Sequence, residues 1–224
     1  LTENTDYTVS YDKTDFTNVT GKITVTITGK GNYTGKVEKS YQILPATLTV
    51  TTNSAEKTHD GNRLTADGTI TGFVNGETAT FMITGSQTDV GSSDNVASAA
   101  VIKNASGKNV TGNYKITYKP GKLTVTASGD IQNNITLKTV DVVKKYDGNT
   151  YTAGTASATD KNGGEVTIEY SADGKTWTDN PGTITAKNVS DSKTVQVRVT
   201  SKNYEGSVTG TQKLTITKRA VTLT

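Results

Sequence analysis

Residues 57–66 read Lys-Thr-His-Asp-Gly-Asn-Arg-Leu-Thr-Ala, and residues 144–153 read Lys-Lys-Tyr-Asp-Gly-Asn-Thr-Tyr-Thr-Ala. Both copies are followed closely by a Gly-Thr pair. A stretch that recurs in this way indicates tandem copies of one small folding unit, and it outweighs any single-residue clue. We therefore expect units of about 80–90 residues rather than one large domain.

A second motif, Asn-Tyr, marks the end of each predicted unit. It occurs three times, each time shortly before a segment in which apolar and polar residues alternate. We predict that each of these segments is the closing strand of its unit. The motifs and the segments that follow them are Asn32-Tyr33 with 41–43, Asn113-Tyr114 with 123–125, and Asn203-Tyr204 with 214–216.

The two motifs together place the boundaries between the units. Residues 1–45 are predicted to be the C-terminal half of a repeat domain, 46–128 and 129–218 two complete β domains, and 219–224 the opening strand of a further repeat. A half-domain would leave an apolar face and a strand edge uncovered. The hypothesis is that the C-terminal strand or a neighbouring molecule completes it by strand addition.

Alternation of apolar and polar residues predicts strands throughout the chain. In the segment 22–28, Ile23, Val25 and Ile27 share one face and threonines occupy the other. Such period-two patterns are typical of half-buried strands, and the Asp-Gly and Asn-Gly pairs between them suit tight turns that need positive φ. Residues 170–177 are predicted to form one such hairpin. We predict an all-β fold of tandem small Ig-like or β-grasp-like sandwich domains in an elongated array.

The composition excludes several classes of function. The chain has no cysteine, which excludes disulfides, thiolate metal sites and a cysteine nucleophile. Its net charge of +3 comes from 24 basic and 21 acidic residues in mixture, so we expect no nucleic-acid binding. No apolar run approaches the roughly 18–20 residues that a transmembrane helix needs, so we expect no membrane insertion.

The sequence resembles a family of bacterial surface repeats. The resemblance rests on Tyr146-Asp147-Gly148, on the Thr-Ala-Gly-Thr that follows it, and on Gly-Lys-Gly-Asn-Tyr-Thr-Gly at 29–35. These motifs are similar to the YDG/MBG-type repeats of giant bacterial cell-surface proteins, which are common in Gram-positive Clostridia. The resemblance implies small all-β domains strung on extracellular adhesins or cell-wall-anchored proteins, and it implies no particular ligand.

No residue pattern predicts catalysis, a cofactor or a metal site, and we expect the protein not to be an enzyme. His59, the only histidine, has no partner histidine or cysteine and stands at the tyrosine position of the other copy, so a structural role is expected. Asp60 and Asp147 are expected to shape their Asp-Gly turns. Asp89 and Asp94 offer calcium ligands in principle, with a polar loop as the simpler interpretation.

Trp177 is the only tryptophan and the single candidate for a ligand-binding residue. An exposed aromatic ring can stack on a sugar, but a tryptophan beside a hairpin turn is also expected to cover the edge of a core. The stretches 86–111 and 170–182 differ most between the units and are candidate contact loops. Two functions stay open. One is a stalk of spacer repeats that projects a distal binding region, with neighbouring repeats of the chain as partners. The other is an adhesin module that binds a host or dietary glycan or protein through these loops.

Overall fold

The computed structural model describes residues 1–74, 76–129 and 131–222. Strands account for 52% of the residues and helices for 6%, and the strands form several small sheets. The predicted all-β, sandwich-like fold is therefore confirmed. The predicted domain boundaries at 45, 128 and 218 stay predictions. Contacts group the chain into two units: unit 1 comprises Leu1–Ser54, Ala66–Gly85 and Asp94–Lys122, and unit 2 comprises Ala55–Thr65, Ser86–Ser93 and Leu123–Thr224.

Unit 1 begins with three strands: β1 (Tyr7–Tyr11), β2 (Thr20–Gly29) and β3 (Lys36–Ile43). They form one antiparallel sheet in the order β1-β2-β3. The alternating segment 22–28 lies within β2, so the strand predicted there is confirmed. Ile23 is fully buried, whereas nearly all of β3 is exposed.

Eight strands follow along the chain: β4 (Ala46–Thr52), β5 (Ala55–Thr58), β6 (Gly68–Thr71), β7 (Thr78–Ile83), β8 (Gly91–Asn95), β9 (Ala97–Lys103), β10 (Tyr114–Lys119) and β11 (Gly121–Thr126). A 3₁₀ turn at Thr111–Asn113 precedes β10. In unit 1, β4 lies between β10 and β6, and β7 pairs with β9. The strands of unit 1 enclose one apolar cluster: Leu48, Val50, Ala97, Ala100, Ile102, Val110 and Tyr114.

The remaining strands belong to unit 2: β12 (Ile135–Lys138), β13 (Val142–Lys145), β14 (Tyr151–Thr152), β15 (Ser157–Asp160), β16 (Thr167–Ser171), β17 (Thr185–Ala186), β18 (Lys193–Thr200) and β19 (Val208–Thr217). A short helix, α1 (Ile131–Asn134), precedes β12, and 3₁₀ turns lie at Pro181–Thr183 and Val189–Asp191. The largest sheet has the order β13-β19-β18-β16. Its inner face contributes to a second apolar cluster: Ala153, Ala156, Tyr170, Ile184, Ala186, Val195, Val197, Leu214 and Ile216.

The C-terminal segment adds no strand to these sheets within the described residues. Residues 219–222 have no regular secondary structure, and Val221 is 83% exposed. Leu223 and Thr224, the rest of the predicted opening strand, lie outside the described residues. That strand therefore stays a prediction.

The opening segment of each predicted repeat changes partners at a short break. In the first repeat β4 ends at Thr52 and β5 begins at Ala55, and in the second β12 ends at Lys138 and β13 begins at Val142. Before the break the segment pairs antiparallel with β6 or β15. After the break it pairs in parallel with β11 or β19. Each opening segment therefore contributes to two sheets, and these parallel pairs are a feature that sequence alternation did not predict.

The closing strand contacts the break through a side-chain oxygen in both repeats. The backbone N–H of Lys122 donates to Ser54 Oγ over 2.8 Å. The backbone N–H of Lys213 donates to Asp141 Oδ1 over 2.7 Å. Ser54 and Asp141 both lie in the breaks, so two different side chains perform the same task at equivalent positions.

Close backbone packing surrounds the first break. The backbone N–H of Gly121 donates to Thr52 Oγ1 over 2.8 Å, and that hydroxyl donates to the Asn95 carbonyl. Asn95 Nδ2 donates to the carbonyls of Asn53 at 3.0 Å and Ala66 at 2.9 Å. Thr52 and Asn95 are both buried. These bonds satisfy backbone groups near the break that would otherwise be buried without a partner.

The sheet β1-β2-β3 corresponds strand for strand to β16, β18 and β19. In both sheets a tyrosine of the first strand faces a valine of the second: Tyr11 faces Val25, and Tyr170 faces Val197. Tyr170 is only 2% exposed and belongs to the core cluster of unit 2, whereas Tyr11 is 49% exposed. The two sheets therefore share a pattern of strands and differ in what covers the apolar face.

This difference predicts unequal costs for equivalent substitutions. Ile27 faces Val9 in the first sheet as Val199 faces Ile168 in the second, but Ile27 is 40% exposed and Val199 is fully buried. Val199→Ala is expected to lower the free energy of unfolding by about 2 kcal/mol. Ile27→Ala removes more atoms, yet it is expected to cost less than about 1 kcal/mol because much of the side chain already contacts water.

Urea unfolding of the full chain, followed by amide NMR signals of β2 and β18, measures both values. The two alanine variants serve as controls for each other, since they occupy equivalent strand positions. Equal losses of stability would contradict the expectation and would mean that the face of β1-β2-β3 is covered in solution.

Candidate functional site

Trp177 lies at the end of a hairpin loop that follows β16. Tyr170 and Thr178 exchange two backbone hydrogen bonds, of 2.7 Å and 3.0 Å, which close the loop. Gly174 adopts a φ of +73°, a value that favours glycine, and allows the tight turn. The hairpin predicted over residues 170–177 is therefore confirmed.

The carboxylate of Asp173 holds this loop in shape. It accepts the backbone N–H of Thr176 at 2.8 Å and of Lys175 at 2.7 Å, and it accepts the Ser171 hydroxyl at 2.9 Å. Hydrogen bonds to the charged form, first from Thr176 and then from Lys175, lower the pKa of Asp173 to about 2. The loop conformation and the ionised carboxylate therefore support each other.

The loop is expected to keep its shape until the pH falls well below 4. Because the folded-state pKa of Asp173 lies below the ordinary value of 3.8, the carboxylate stabilises the loop above about pH 4, and this stabilisation is lost as the pH falls towards 2. An NMR titration of the Asp173 carboxyl carbon should have its midpoint near pH 2, and the Lys175 amide should move with it. A midpoint near 4 would mean that these hydrogen bonds do not form in solution.

The guanidinium of Arg198 stacks on the indole of Trp177. Arg198 Cζ lies 4.2 Å from the ring centroid. Arg198 Nε and Nη2 donate to Glu169 Oε2 over 3.1 Å and 2.8 Å, across the paired strands β16 and β18. The ion pair orients the guanidinium, and the cation–π contact orients the ring. Trp177 therefore covers the outer face of the sheet rather than the edge of the core, where the sequence had suggested it.

A shallow cavity of about 490 Å³ borders the indole on this face. Its polar lining arises because burial alternates along β18. Val195 and Val197 are buried, while Thr194 and Gln196 of the same strand face outwards. Hydroxyl and amide groups both donate and accept hydrogen bonds, so the lining suits a ligand with many hydroxyl groups. The lining residues are Trp177, Thr194, Gln196, Val197, Thr209, Gly210 and Thr211.

His59 is a packing residue, in agreement with the structural role expected for it. It is 5% exposed, and its ring packs edge-to-face on Tyr204 with 5.3 Å between centroids. Its backbone N–H donates to the Thr126 carbonyl over 2.8 Å, as the Tyr146 N–H donates to the Thr217 carbonyl over 2.9 Å. The sequence repeat therefore aligned equivalent backbone positions. Tyr146 is nevertheless 40% exposed, so the repeat did not predict burial.

Asp60 and Asp147 shape the turns of the repeated motif. Asp60 Oδ1 accepts the backbone N–H of Asn62, and Asp147 Oδ1 accepts that of Asn149, both over 2.9 Å. The glycines that follow the two aspartates have φ values of +78° and +87°. The predicted Asp-Gly turns are confirmed in both copies, and each carboxylate serves its own turn.

Asp89 binds neighbouring side chains. Its Oδ1 accepts Asn203 Nδ2 over 3.1 Å, and its Oδ2 lies 3.4 Å from Lys202 Nζ. The Asn203 hydrogen bond is the main cause that lowers the pKa of Asp89. Asp94 lies within β8. Among the described residues, no three histidine, cysteine, aspartate or glutamate side chains cluster in a way that could hold a metal ion.

The two stretches predicted as contact loops differ in structure. Within the stretch 86–111, residues 91–95 and 97–103 form β8 and β9, so the continuous loop expected there is wrong, and only 86–90 and 104–110 are connecting segments. The pattern misled because Ser, Asp, Asn and Gly, which favour turns, occupy a paired strand here. The stretch 170–182 does contain the irregular loop that carries Trp177.

A second cavity, of about 680 Å³, lies in unit 1 and was not predicted from the sequence. Phe16 lines it, is 47% exposed, and contacts Tyr11 edge-to-face at 4.9 Å between centroids. Asp15 accepts the backbone N–H of Asn18 at 3.0 Å and of Thr17 at 2.9 Å, and these bonds, with that of Asn18 first, lower its pKa to about 2. The sequence Asp-Phe-Thr-Asn was a turn signal that could have located this loop.

Tyr114 closes one side of that cavity and connects it to the core. Its side chain is 8% exposed, and its hydroxyl donates to Glu77 Oε2 and accepts the backbone N–H of Val74 over 3.2 Å. Burial, followed by the hydrogen bond to Glu77, raises the pKa of Tyr114. The Asn-Tyr motif of this repeat therefore supplies a structural tyrosine with both sides of its hydroxyl engaged.

Strands dominate the chain, and its helical segments are short. Within 1–74, 76–129 and 131–222, none of them combines the length and the apolar character that crossing a membrane as a helix requires. With its many small sheets, this part of the chain has an all-β, sandwich-like fold.

Residues 48–124 match the family model described as MBG domain (YGX type). The match confirms, for this segment, the resemblance to MBG-type repeats. MBG domains occur in extracellular surface proteins, so the segment is similar to a surface-associated β repeat module. A comparison with curated proteins found no match.

Several solved structures share a general likeness with the chain. Drosophila N-cadherin EC1-3 is 9% identical with a TM-score of 0.30, over 94% of this chain and 80% of that one. A chimeric titin Z1Z2 with an exogenous decorin peptide is 14% identical with a TM-score of 0.31, over 78% and 94%. A three-Ig titin fragment is 14% identical with a TM-score of 0.28, over 96% and 83%. TM-scores of this size establish neither the topology nor the function of this chain.

Proposed function

We propose that the chain forms spacer repeats in the stalk of a bacterial cell-surface adhesin, in an elongated array that projects a distal binding region from the cell wall. The observation that carries this proposal is the parallel pairing of the opening and closing strands in each repeat. The match of residues 48–124 to the MBG domain supports the surface location. The role is mechanical, and it requires no catalytic residue, cofactor or metal.

Parallel terminal strands resist pulling because of their geometry. In the second repeat, β13 and β19 run side by side from Val142 opposite Leu214 to Lys145 opposite Thr217. Tension on the two ends of the repeat pulls these strands past each other along their length. Because the hydrogen bonds lie across the direction of pulling, they must break together rather than one after another.

The first repeat offers more of this pairing. There β4 pairs in parallel with β10 from Ala46 opposite Tyr114 to Thr51 opposite Lys119, and β5 adds a parallel pair with β11. A larger set of bonds that break together should raise the resistance of this repeat. The spacer role therefore has support in both repeats and in the same pair of terminal strands.

Single-molecule pulling from two pairs of attachment points tests the proposal. The chain has no cysteine, so attachment at engineered cysteines is site-specific. In Thr139→Cys/Lys218→Cys, tension slides β13 along β19. In Lys145→Cys/Lys218→Cys, it separates the same strands from one end. All three positions are exposed. We expect a clearly higher unfolding force for the first variant.

Urea unfolding of both variants provides the control, because equal stability in solution would leave pulling direction as the only difference between them. Equal unfolding forces at equal stability would contradict the proposed mechanical role of the parallel strands. The proposed role would also be contradicted if both variants unfolded at the low forces expected when two strands are peeled apart one hydrogen bond at a time.

A further inference from the structure

We propose that the outer face around Trp177 binds a polysaccharide. The Trp177 surface consists of Trp177, Thr194, Gln196, Thr209 and Thr211, with Arg198 stacked on the indole. This inference goes beyond the spacer role, because a spacer needs a soluble exterior but no oriented aromatic ring. It rests on the position of the ring, on the cavity beside it and on the polar groups that surround both.

The indole lies on the outer face of the sheet and outside the buried apolar cluster. Trp177 does not belong to the apolar cluster of unit 2 described above. Arg198 stacks on the ring, with its Cζ 4.2 Å from the ring centroid, and Glu169 holds Arg198 in place through hydrogen bonds of 2.8 Å and 3.1 Å. A large apolar ring that is kept partly in water and restricted in its motion is typical of a binding residue, since little entropy remains to be lost on binding.

The cavity leaves part of the indole accessible. It is bordered by Trp177 and by the outward side chains of β18 and β19, and Arg198 is not among its lining residues. Its volume of about 490 Å³ falls within the range of roughly 300–1,000 Å³ that small-ligand sites occupy.

The chemistry of the lining favours sugars. A pyranose ring has an apolar C–H face that can stack on an indole and hydroxyl groups around its edge that need hydrogen-bond partners. Gln196 offers an amide, and Thr194, Thr209 and Thr211 offer hydroxyls, each able to donate and accept. Across the sheet Gln196 faces Thr211, so two of these groups lie side by side.

The shape of the surface favours a polymer. From Thr194 of β18 to Thr209 of β19, which faces Arg198 across the sheet, the outward lining positions extend over about 13 Å along the strands, given the rise per residue of an extended chain. A row of this length extends past a single sugar ring. The other polymer that stacks on aromatic rings, single-stranded nucleic acid, also needs free positive charge, but Arg198 is paired with Glu169.

The test uses Trp177 as its own reporter. Because the chain has one tryptophan, its fluorescence and its indole N–H signal in NMR report on this surface alone. The probes are hydroxyethyl cellulose, xylan, galactomannan and gastric mucin, with single-stranded DNA run for comparison, each used in affinity gel electrophoresis and in titrations of the full chain. We expect at least one of them to retard the chain and to shift the indole N–H signal.

Variants locate the binding. Trp177→Ala is expected to weaken binding at least about tenfold, as the loss of a central aromatic anchor does at other interfaces. Gln196→Ala is expected to weaken it less. Tyr146→Ala is the matched control, because Tyr146 is also an exposed aromatic residue, at 40%, and lies outside the surface, so binding should not change.

Three results would overturn the proposal. One is the absence of retardation by all four polymers. Another is retardation that leaves the indole N–H signal unmoved or that Trp177→Ala does not reduce. The third is retardation by single-stranded DNA alone. If Trp177→Ala does not fold, the indole signal of the unaltered chain decides, since it moves only when a ligand reaches this surface. The outcome is independent of the pulling experiment, so the spacer role and the binding role succeed or fail separately.

Discussion

Gly121→Ala is expected to destabilise unit 1 by about 3 kcal/mol or more. A Cβ at position 121 would lie 2.4 Å from both the carbonyl carbon and the oxygen of Asn53 and 2.5 Å from the Thr52 oxygen. Real Cβ atoms do not approach backbone this closely, so β11 and the break between β4 and β5 would have to move apart. That movement would also lengthen the hydrogen bond from Gly121 N to Thr52 Oγ1.

Urea unfolding followed by NMR signals of β4 and β10 measures this effect within unit 1. Gly112→Ala is the matched control: Gly112 lies in the 3₁₀ turn Thr111–Asn113, and a Cβ there would meet nothing within 4 Å. We expect little change in the control. Similar midpoints for the two variants would contradict the close approach at position 121.

Leu214→Ala is expected to lower the stability of unit 2 by about 2–5 kcal/mol. Leu214 is fully buried in the core cluster and lies in β19, where it faces Val142 of β13 on one side and Lys193 of β18 on the other. Removal of its side chain leaves a cavity between strands that pair directly, and the sheet cannot close it without disturbing both partners. The parallel pair should therefore weaken together with the core.

Trp177 fluorescence follows this loss, because the only tryptophan lies on the outer face of the same sheet. Val143→Ala provides the control: Val143 lies in β13 and is 60% exposed, so its truncation should cost well under about 1 kcal/mol. A loss of less than about 1 kcal/mol for Leu214→Ala would place this residue outside a tightly packed core.

Local patterns were enough to predict the strand around Ile23 and the two Asp-Gly turns. The alternation around Ile23 and the Asp-Gly pairs at Asp60 and Asp147 depend on neighbours a few residues away, and the structure contains the strand and both turns. These features follow from side-chain direction along a strand and from the φ preference of glycine, which act within one segment. The same reasoning failed at 86–111, where residues that favour turns take part in a paired strand.

The alternation of apolar and polar residues could not predict which distant strands pair with each other. Nothing in the sequence of β5 or β13 distinguishes a strand that pairs in parallel with the end of its repeat from one that forms a hairpin. Burial was equally out of reach: Ile27 and Val199 stand in equivalent strands, yet only Val199 is fully buried. Both properties depend on which segment covers a face, and that segment lies tens of residues away.

The candidate site shows the same difference between features set by neighbouring residues and features set by distant segments. The sequence singled out Trp177 because it is the only residue of its kind, and it predicted the hairpin that carries it. It could not bring Arg198 and Glu169 to the indole, since this contact depends on the register between β16 and β18. The threonines of the cavity stood out least, because threonine occupies so many outward positions of this chain.

The parallel pairing of opening and closing strands also bears on how such a protein can change in length over generations. When the first and last strands of a repeat are parallel neighbours, the chain enters the repeat at one end of these strands and leaves it at the opposite end. A duplicated copy can therefore be joined to its parent by a short connection, with no crossover back to the starting point. In the proposed spacer array, gains and losses of whole copies would then change the reach of the molecule in fixed steps and leave the fold of every remaining copy intact.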